Sequence, residues 1–256
     1  MERYGLPSEV RFLTGKSGMI PDRPTLILIH GAGGNSSNFL PQIRDLDRLF
    51  NILVLELPGH GNTTGPGRQT IDSYADWLHE TLSNLFFNTF FLGGHSMGGA
   101  ISLEMGLRYP DKIQGLILIA TGATLGVSPK ILTGLQEQPH QTLVKISQWS
   151  YAKGTDPQVI AQSIQLLEQT PVSVIYENFL ACNQFNREEE IVQIKSPTLI
   201  LVGEQDVMSP PGSSRYLHEK IPSSRLTIIP GAGHMVMLEK YKEVNQAILD
   251  FITQNT

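Results

Sequence analysis

Ser96 is the residue around which chemistry can be built. It stands in Gly94-His95-Ser96-Met97-Gly98, a G-x-S-x-G pattern between a short β-prone segment at 89–93 and a run of helical spacing that ends at Tyr109-Pro110. A strand before and a helix after form the setting in which this pattern makes a sharp turn, with the serine hydroxyl pointing into a cleft. Gly94 and Gly98 leave room for the adjoining strand and helix. The free N–H groups and positive dipole end of the following helix favour the negative charge that develops when the hydroxyl attacks a carbonyl.

A serine is a weak nucleophile at neutral pH, so this chemistry needs a base within hydrogen-bond reach and a group that orients the base. Seven histidines compete for the first role. His234 lies in Pro230-Gly231-Ala232-Gly233-His234, a turn after the last strand-like segment and before the last helical one, from which a loop can reach a cleft. Asp206, in Val202-Gly203-Glu204-Gln205-Asp206, follows directly on an apolar strand pattern. The carboxyl ends of parallel strands are where active-site loops gather. Glu204 is its nearest rival, but it leaves the strand earlier and reads as a loop stabiliser. The order Ser96, Asp206, His234 then matches the Ser…Asp…His order of sites built on such turns.

An oxyanion hole is the remaining part, and the glycine-rich His30-Gly31-Ala32-Gly33-Gly34 supplies it, with the N–H groups of Ala32 and Met97 as the expected donors. That loop lacks the lysine of a phosphate-cradling G-x-x-x-x-G-K-[ST] and does not match G-x-G-x-x-G. His60, in Pro58-Gly59-His60-Gly61, is expected to shape the entrance, while His79, His140 and His218 sit on helical patterns with no such surroundings.

The elements that must hold these residues show as an alternation of patterns. Strand-like segments fall at 10–14, 25–30, 51–57, 89–93, 115–120, 198–203 and 225–230, and helical ones at 37–49, 70–85, 96–108, 212–220 and 240–252. Most of the strand patterns are continuously apolar, as in strands covered on both faces, which predicts an α/β fold with a mainly parallel central sheet and helices on either side. The alternation breaks over 122–190, where several helical patterns follow one another, so the expected organisation is a core formed by 1–121 and 191–256 with a helical cap, 122–190, inserted into it. Ser128-Pro129, Asp156-Pro157 and Thr170-Pro171 each place a capping residue before a proline at an expected first helical position. Trp149, Tyr151, Tyr176, Phe179 and Phe185 are spread through this cap, mainly as helix packing. Gly31, His95, Trp149 and Phe179 are the expected pocket residues.

At 256 residues, 40% of them hydrophobic and 17% charged, the chain suits one large domain with an insertion. The formal charge of −5 comes without a long single-sign run, so nucleic acid is not an expected partner, and Arg187-Glu188-Glu189-Glu190 reads as a solvated helix start. No apolar run approaches the roughly 20 residues of a membrane span, and the first residues lack the basic and apolar stretches of a secretory signal. Cys182, the single cysteine, lies in a helical pattern without a local motif and reads as a packed thiol. These features predict a cytoplasmic protein, a monomer or homodimer, with a small-molecule substrate and no membrane partner. Neither H-E-x-x-H nor a Cys/His cluster is present, so neither metal nor cofactor is expected.

These motifs resemble those of the α/β-hydrolase superfamily. The resemblance runs from His30-Gly31 through Leu57-Pro58-Gly59-His60-Gly61, Gly94-His95-Ser96-Met97-Gly98-Gly99 and the Gly203 and Asp206 loop to Gly233-His234, nearly the whole chain. Within the superfamily the chain looks like the capped esterase, lactonase and carbon–carbon hydrolase group. The resemblance implies acyl transfer, in which Ser96 attacks a carbonyl, His234 takes its proton, Asp206 supports the imidazolium, and water then hydrolyses the acyl-enzyme. It also implies structural roles for His30 and His95. Serine at the turn sets the chain apart from the dehalogenases and epoxide hydrolases of this fold, which use aspartate there. Glu56 departs from the aspartate usual before the Leu57-Pro58-Gly59-His60-Gly61 segment. The expected substrate is a small to medium carboxylic ester, lactone or thioester. The alternatives are a carbon–carbon hydrolase acting on vinylogous diketones, suggested by Asn38-Phe39, and a ligand receptor of the same fold with slow or absent turnover.

Overall fold

The computed structural model describes residues 5–83 and 89–256. In these, seven strands form one sheet: β1 (Phe12–Thr14), β2 (Thr25–Ile29), β3 (Asn51–Leu55), β4 (Phe90–His95), β5 (Ile113–Ile119), β6 (Thr198–Gly203) and β7 (Ser224–Ile229). Their order is β1-β3-β2-β4-β5-β6-β7. Only β1 runs antiparallel, to β3; the other neighbours are parallel. The helices are α1 (Leu40–Leu46), α2 (Ile71–Leu82), α3 (Met97–Arg108), α4 (Pro129–Glu137), α5 (Pro139–Ser150), α6 (Pro157–Leu167), α7 (Val172–Gln184), α8 (Pro211–Lys220), α9 (Val236–Glu239) and α10 (Tyr241–Gln254).

Apolar runs without alternation make sense in this arrangement, because successive side chains of a strand enter two different cores. Ile27, Ile29, Leu53 and Leu55 pack with α2 and α3, whereas Leu26, Leu28, Ile52 and Val54 pack with α1 and α10. All eight are fully buried, and burial of such a side chain contributes about 1.5–3 kcal/mol. The sheet is therefore a rigid floor from whose carboxyl edge loops project. No helix among the described residues is long and apolar enough to cross a membrane.

Several boundaries differ from the sequence patterns for local reasons. The helical pattern at 37–49 divides into a 3-10 turn, Ser36–Phe39, and α1, because Asn35 caps the turn by accepting the Ser37 N–H at 2.9 Å and Pro41 opens the next helix. Strand β4 runs on to His95, since Gly94 and His95 still pair with Leu118 and Ile119 of β5. Helix α2 closes at Leu82, and the expected end at 84–85 lies outside the described residues.

Between β5 and β6 the chain forms α4 to α7. Pro129 and Pro157 take first helical positions, and Asp156 caps α6 by accepting the Gln158 N–H at 2.8 Å. The third proline behaves otherwise. Pro171 is the cap residue of α7, and the Thr170 hydroxyl donates instead to the Gly33 carbonyl at 3.0 Å, far away in sequence. Helix α6 contains no buried residue, although its sequence is largely apolar. The charge cluster after α7 is not simply solvated. Arg187 pairs with Glu104 of α3 at 2.7 Å and with Asp72 of α2 at 2.5 Å, fastening the exit of the insertion to the core.

Candidate active site

The turn at Ser96 joins β4 to α3, with φ 53° and ψ −116°. Such a backbone is strained for any residue with a Cβ. It is held because the Ser96 N–H donates to the Ile119 carbonyl at 2.9 Å, while the Ser96 carbonyl accepts from the Thr121 hydroxyl at 2.9 Å and the Ala100 N–H at 3.1 Å. The flanking glycines are dictated by space. A Cβ on Gly94 would strike the Gly98 carbonyl, and one on Gly98 would strike the carbonyls of Ile29 and His30.

Asp206 leaves the end of β6, and His234 lies in the loop between β7 and α9. Their side chains are buried and joined, with His234 Nδ1 and Asp206 Oδ2 2.8 Å apart. The other carboxylate oxygen of Asp206 accepts the N–H groups of Met208 and Ser209, each at 2.9 Å. A carboxylate so fixed orients the His234 ring through Nδ1. Glu204 turns outward and accepts the Gly231 N–H at 3.2 Å, so it steadies the histidine loop from behind.

Two further groups hold that loop. The His95 ring donates from Nε2 to the His234 carbonyl at 3.0 Å, and burial, with His234 nearby, keeps it well below the usual histidine range and neutral. Glu239 accepts the Gly233 N–H at 2.9 Å and the Ala152 N–H at 2.8 Å, tying the loop to the end of α5, and burial raises its pKa. The Met235 N–H donates to the Ser150 carbonyl at 2.9 Å in the same place. Nothing local in the sequence signals Glu239, because its partners come from segments that only the fold brings together.

On the opposite side, His30 donates from Nδ1 to the Gly31 carbonyl at 2.8 Å and accepts the Leu57 N–H on Nε2 at 3.1 Å. Burial, and secondarily His60, push its pKa down to about 3. Gly31, Ala32, Gly33 and Gly34 form part of a cavity wall. Met97 is the first residue of α3, so its N–H has no acceptor within the helix. Glu56 uses its extra length to bridge two loops, accepting the Ser36 hydroxyl at 2.7 Å and the Asn62 N–H at 2.8 Å.

Ser96, His234, Gly31, Ala32, His95, Trp149 and Phe179 all line one cavity of about 430 Å³. Among the described residues, no Asp, Glu, Lys or Arg lines it. Trp149, Val159, Leu166 and Val207 form an exposed apolar rim. Cys182 also reaches the wall, where burial pushes the thiol up to about 12 and keeps it protonated. His60 is not at the entrance; it is fully buried, with Nε2 2.8 Å from Oδ1 of Asn178 on α7. Phe39 is likewise fully buried in the core beneath α1 and is not part of the cavity. His79 stacks on Tyr109, His140 pairs with Glu168, and His218 contacts Ser224, all away from the cavity.

A parallel sheet with a strained serine turn at the end of a central strand, and helices inserted after the next strand, defines an α/β hydrolase. The chain belongs to the family described as serine aminopeptidase, S33, whose model matches residues 21–241. It is 30% identical to Lipase 3 of Moraxella sp. (strain TA144) over 236 residues, which span 85% of this chain and 74% of that protein. It is 28% identical to Lipase 1 of Psychrobacter immobilis over 254 residues, 93% of this chain and 79% of that one. Among solved structures, a thermophilic esterase from Thermogutta terrifontis superimposes with a TM-score of 0.84 at 26% identity, over 96% of this chain and 93% of the esterase. The chain is a hydrolase of this superfamily.

Proposed function

We propose that this hydrolase cleaves small to medium, uncharged carboxylic esters, lactones or thioesters through an acyl-enzyme on Ser96. The observation that carries this reading is the buried Asp206–His234 hydrogen bond of 2.8 Å beside the cavity that His234 shares with Ser96. His234 Nε2 takes the Ser96 hydroxyl proton as Oγ attacks the carbonyl carbon, and Asp206 stabilises the imidazolium. The N–H groups of Ala32 and Met97 hold the oxyanion. As the tetrahedral species collapses, the proton passes from His234 to the leaving alcohol or thiol. Water, deprotonated by His234, then attacks the acyl carbonyl and releases the acid.

Among the described residues the lining holds no Asp, Glu, Lys or Arg, which supports an uncharged substrate, since a carboxylate or phosphate would lose its hydration there without a partner. The insertion, 122–190, acts as the cap that shapes the pocket, with Trp149 and Phe179 against the ligand. The names of the lipase and esterase relatives agree with ester cleavage. Of the Asn38-Phe39 pair that suggested a diketone substrate, Phe39 lies in the core, whereas Asn38 lines the cavity.

The test is turnover of p-nitrophenyl esters of increasing acyl length by the wild type and by Ser96→Ala. The expected result is a burst of p-nitrophenol with a preferred acyl length, and a loss of about 10⁶-fold in kcat in the variant. Equal inactivity of both proteins on every ester would overturn the reading and turn attention to ligand binding.

A further inference from the structure

We infer that the insertion builds the reaction centre as well as the pocket, with Asn178 and Thr170 acting as positioning residues for the oxyanion loop; this rests on the reading above. A trans peptide is planar, so fixing the carbonyl at one end of a peptide unit fixes the N–H at the other. The Ala32 N–H shares a peptide unit with the Gly31 carbonyl, which is held by His30 and by the Gly34 N–H at 3.1 Å. That unit alone leaves the two bonds flanking the Ala32 Cα free to turn. The next two units are held from outside the core. Asn178 Oδ1 accepts the Gly33 N–H at 2.9 Å, and the Thr170 hydroxyl donates to the Gly33 carbonyl at 3.0 Å. Both polar groups of Gly33 are thus gripped by residues of the insertion, on either side of a backbone at φ +66° that is intrinsically permissive.

Asn178 is itself immobilised. It is fully buried, its Nδ2 donates to the Tyr74 hydroxyl at 2.7 Å, and its Oδ1 is shared with the His60 ring at 2.8 Å. Tyr74 in turn accepts the Arg68 N–H at 3.0 Å. An amide on an otherwise apolar face of α7, between Val174, Ile175, Phe179 and Cys182, is costly unless every polar atom is used. Here every polar atom of the amide has a partner, and one of them is the loop whose N–H groups must aim at a developing charge. Small misplacements of such donors are expensive, because the stabilisation exists only in the transition-state geometry.

Asn178→Ala and Thr170→Val are compared with the wild type and with Thr170→Ser, using the best p-nitrophenyl ester. The expected result is a fall in kcat of about 10- to 100-fold for Asn178→Ala and a smaller one for Thr170→Val, with KM changed less than about threefold and Thr170→Ser close to wild type. Affinity for a boronic acid that forms a tetrahedral adduct on serine falls in parallel with kcat, a result that a general loosening of the pocket would not give. Amide hydrogen exchange at 31–35 rises in both weakened variants, and this readout needs no substrate. Unchanged kcat and unchanged exchange in folded Thr170→Val and Asn178→Ala would overturn the inference. Lack of Ser96-dependent turnover in the wild type would instead overturn the ester reading, while exchange still judged the clamp.

Discussion

Asp206 and Glu204 stand two positions apart at the end of one strand, yet only one meets the histidine. Asp206 spends one oxygen on two backbone N–H groups and the other on His234, so its geometry is fixed before any substrate arrives. Asp206→Asn retains the size and the backbone contacts but presents an amide that no longer secures the proton of His234 on Nδ1. We expect kcat to fall about 10⁴-fold with the thermal midpoint nearly unchanged, measured by ester turnover and calorimetry. A loss below tenfold would remove Asp206 from the proposed chemistry. Ser96, Asp206 and His234 were legible in the sequence as candidates because each comes within a few residues of the end of a strand pattern and the loops carry small residues. Asn178 and Glu239 were not, because what matters about them is a contact made across the fold, such as Asn178 with Gly33, 145 positions away. A lone amide in an apolar helical stripe was the available signal.

Elements carry the same lesson in another form. Continuous apolar runs identified the covered parallel strands, but proline marked helix starts without saying what the residue before it does. Thr170 resembles a cap in sequence and is used as a hydroxyl donor to another loop. Arg187 resembles the edge of a charge cluster and instead reaches the nearly buried Glu104 and the exposed Asp72. Burial raises the pKa of Glu104, against the opposing pull of Arg187, so the carboxylate depends on that partner. Removing Arg187 leaves Glu104 with the more distant Arg108 guanidinium, 3.9 Å away. Arg187→Ala is expected to destabilise the fold by about 3 kcal/mol, seen as a lower urea midpoint with the preferred acyl length unchanged. Gly98→Ala, at the serine turn, forces a methyl into two backbone carbonyls, and the expected outcome is loss of folded protein or a large fall in thermal midpoint.

For the molecule as a whole, buried histidines set the response to acid. His30, His60 and His95 are all depressed, His30 to about 3, chiefly because burial disfavours the charged ring. Below the ordinary histidine value of 6.5 the unfolded chain takes up protons that the folded one refuses, so stability falls as pH drops from 7 towards 3. Each fully depressed histidine contributes a slope of about 1.4 kcal/mol per pH unit in that window. Glu104 and Glu239, with raised values, oppose this, but only near and above the ordinary glutamate value of 4.5. The thermal midpoint is therefore expected to be lower at pH 5 than at pH 7, and an unchanged midpoint would mean that these rings accept protons within the fold.

Two of the four helices between β5 and β6 are fastened to the loops of the candidate site: α5, at its end, through Ser150 and Ala152, and α7 through Asn178 and, just before it, Thr170. Helix α6 is different, having no buried residue while Val159 and Leu166 stand at the cavity mouth. Diversification of this protein therefore has one inexpensive address. Exchanges at the exposed Val159 and Leu166 are expected to change which molecules enter, generation after generation, whereas Leu167, at the end of the same helix, packs against Gly33 and is not free to vary in this way.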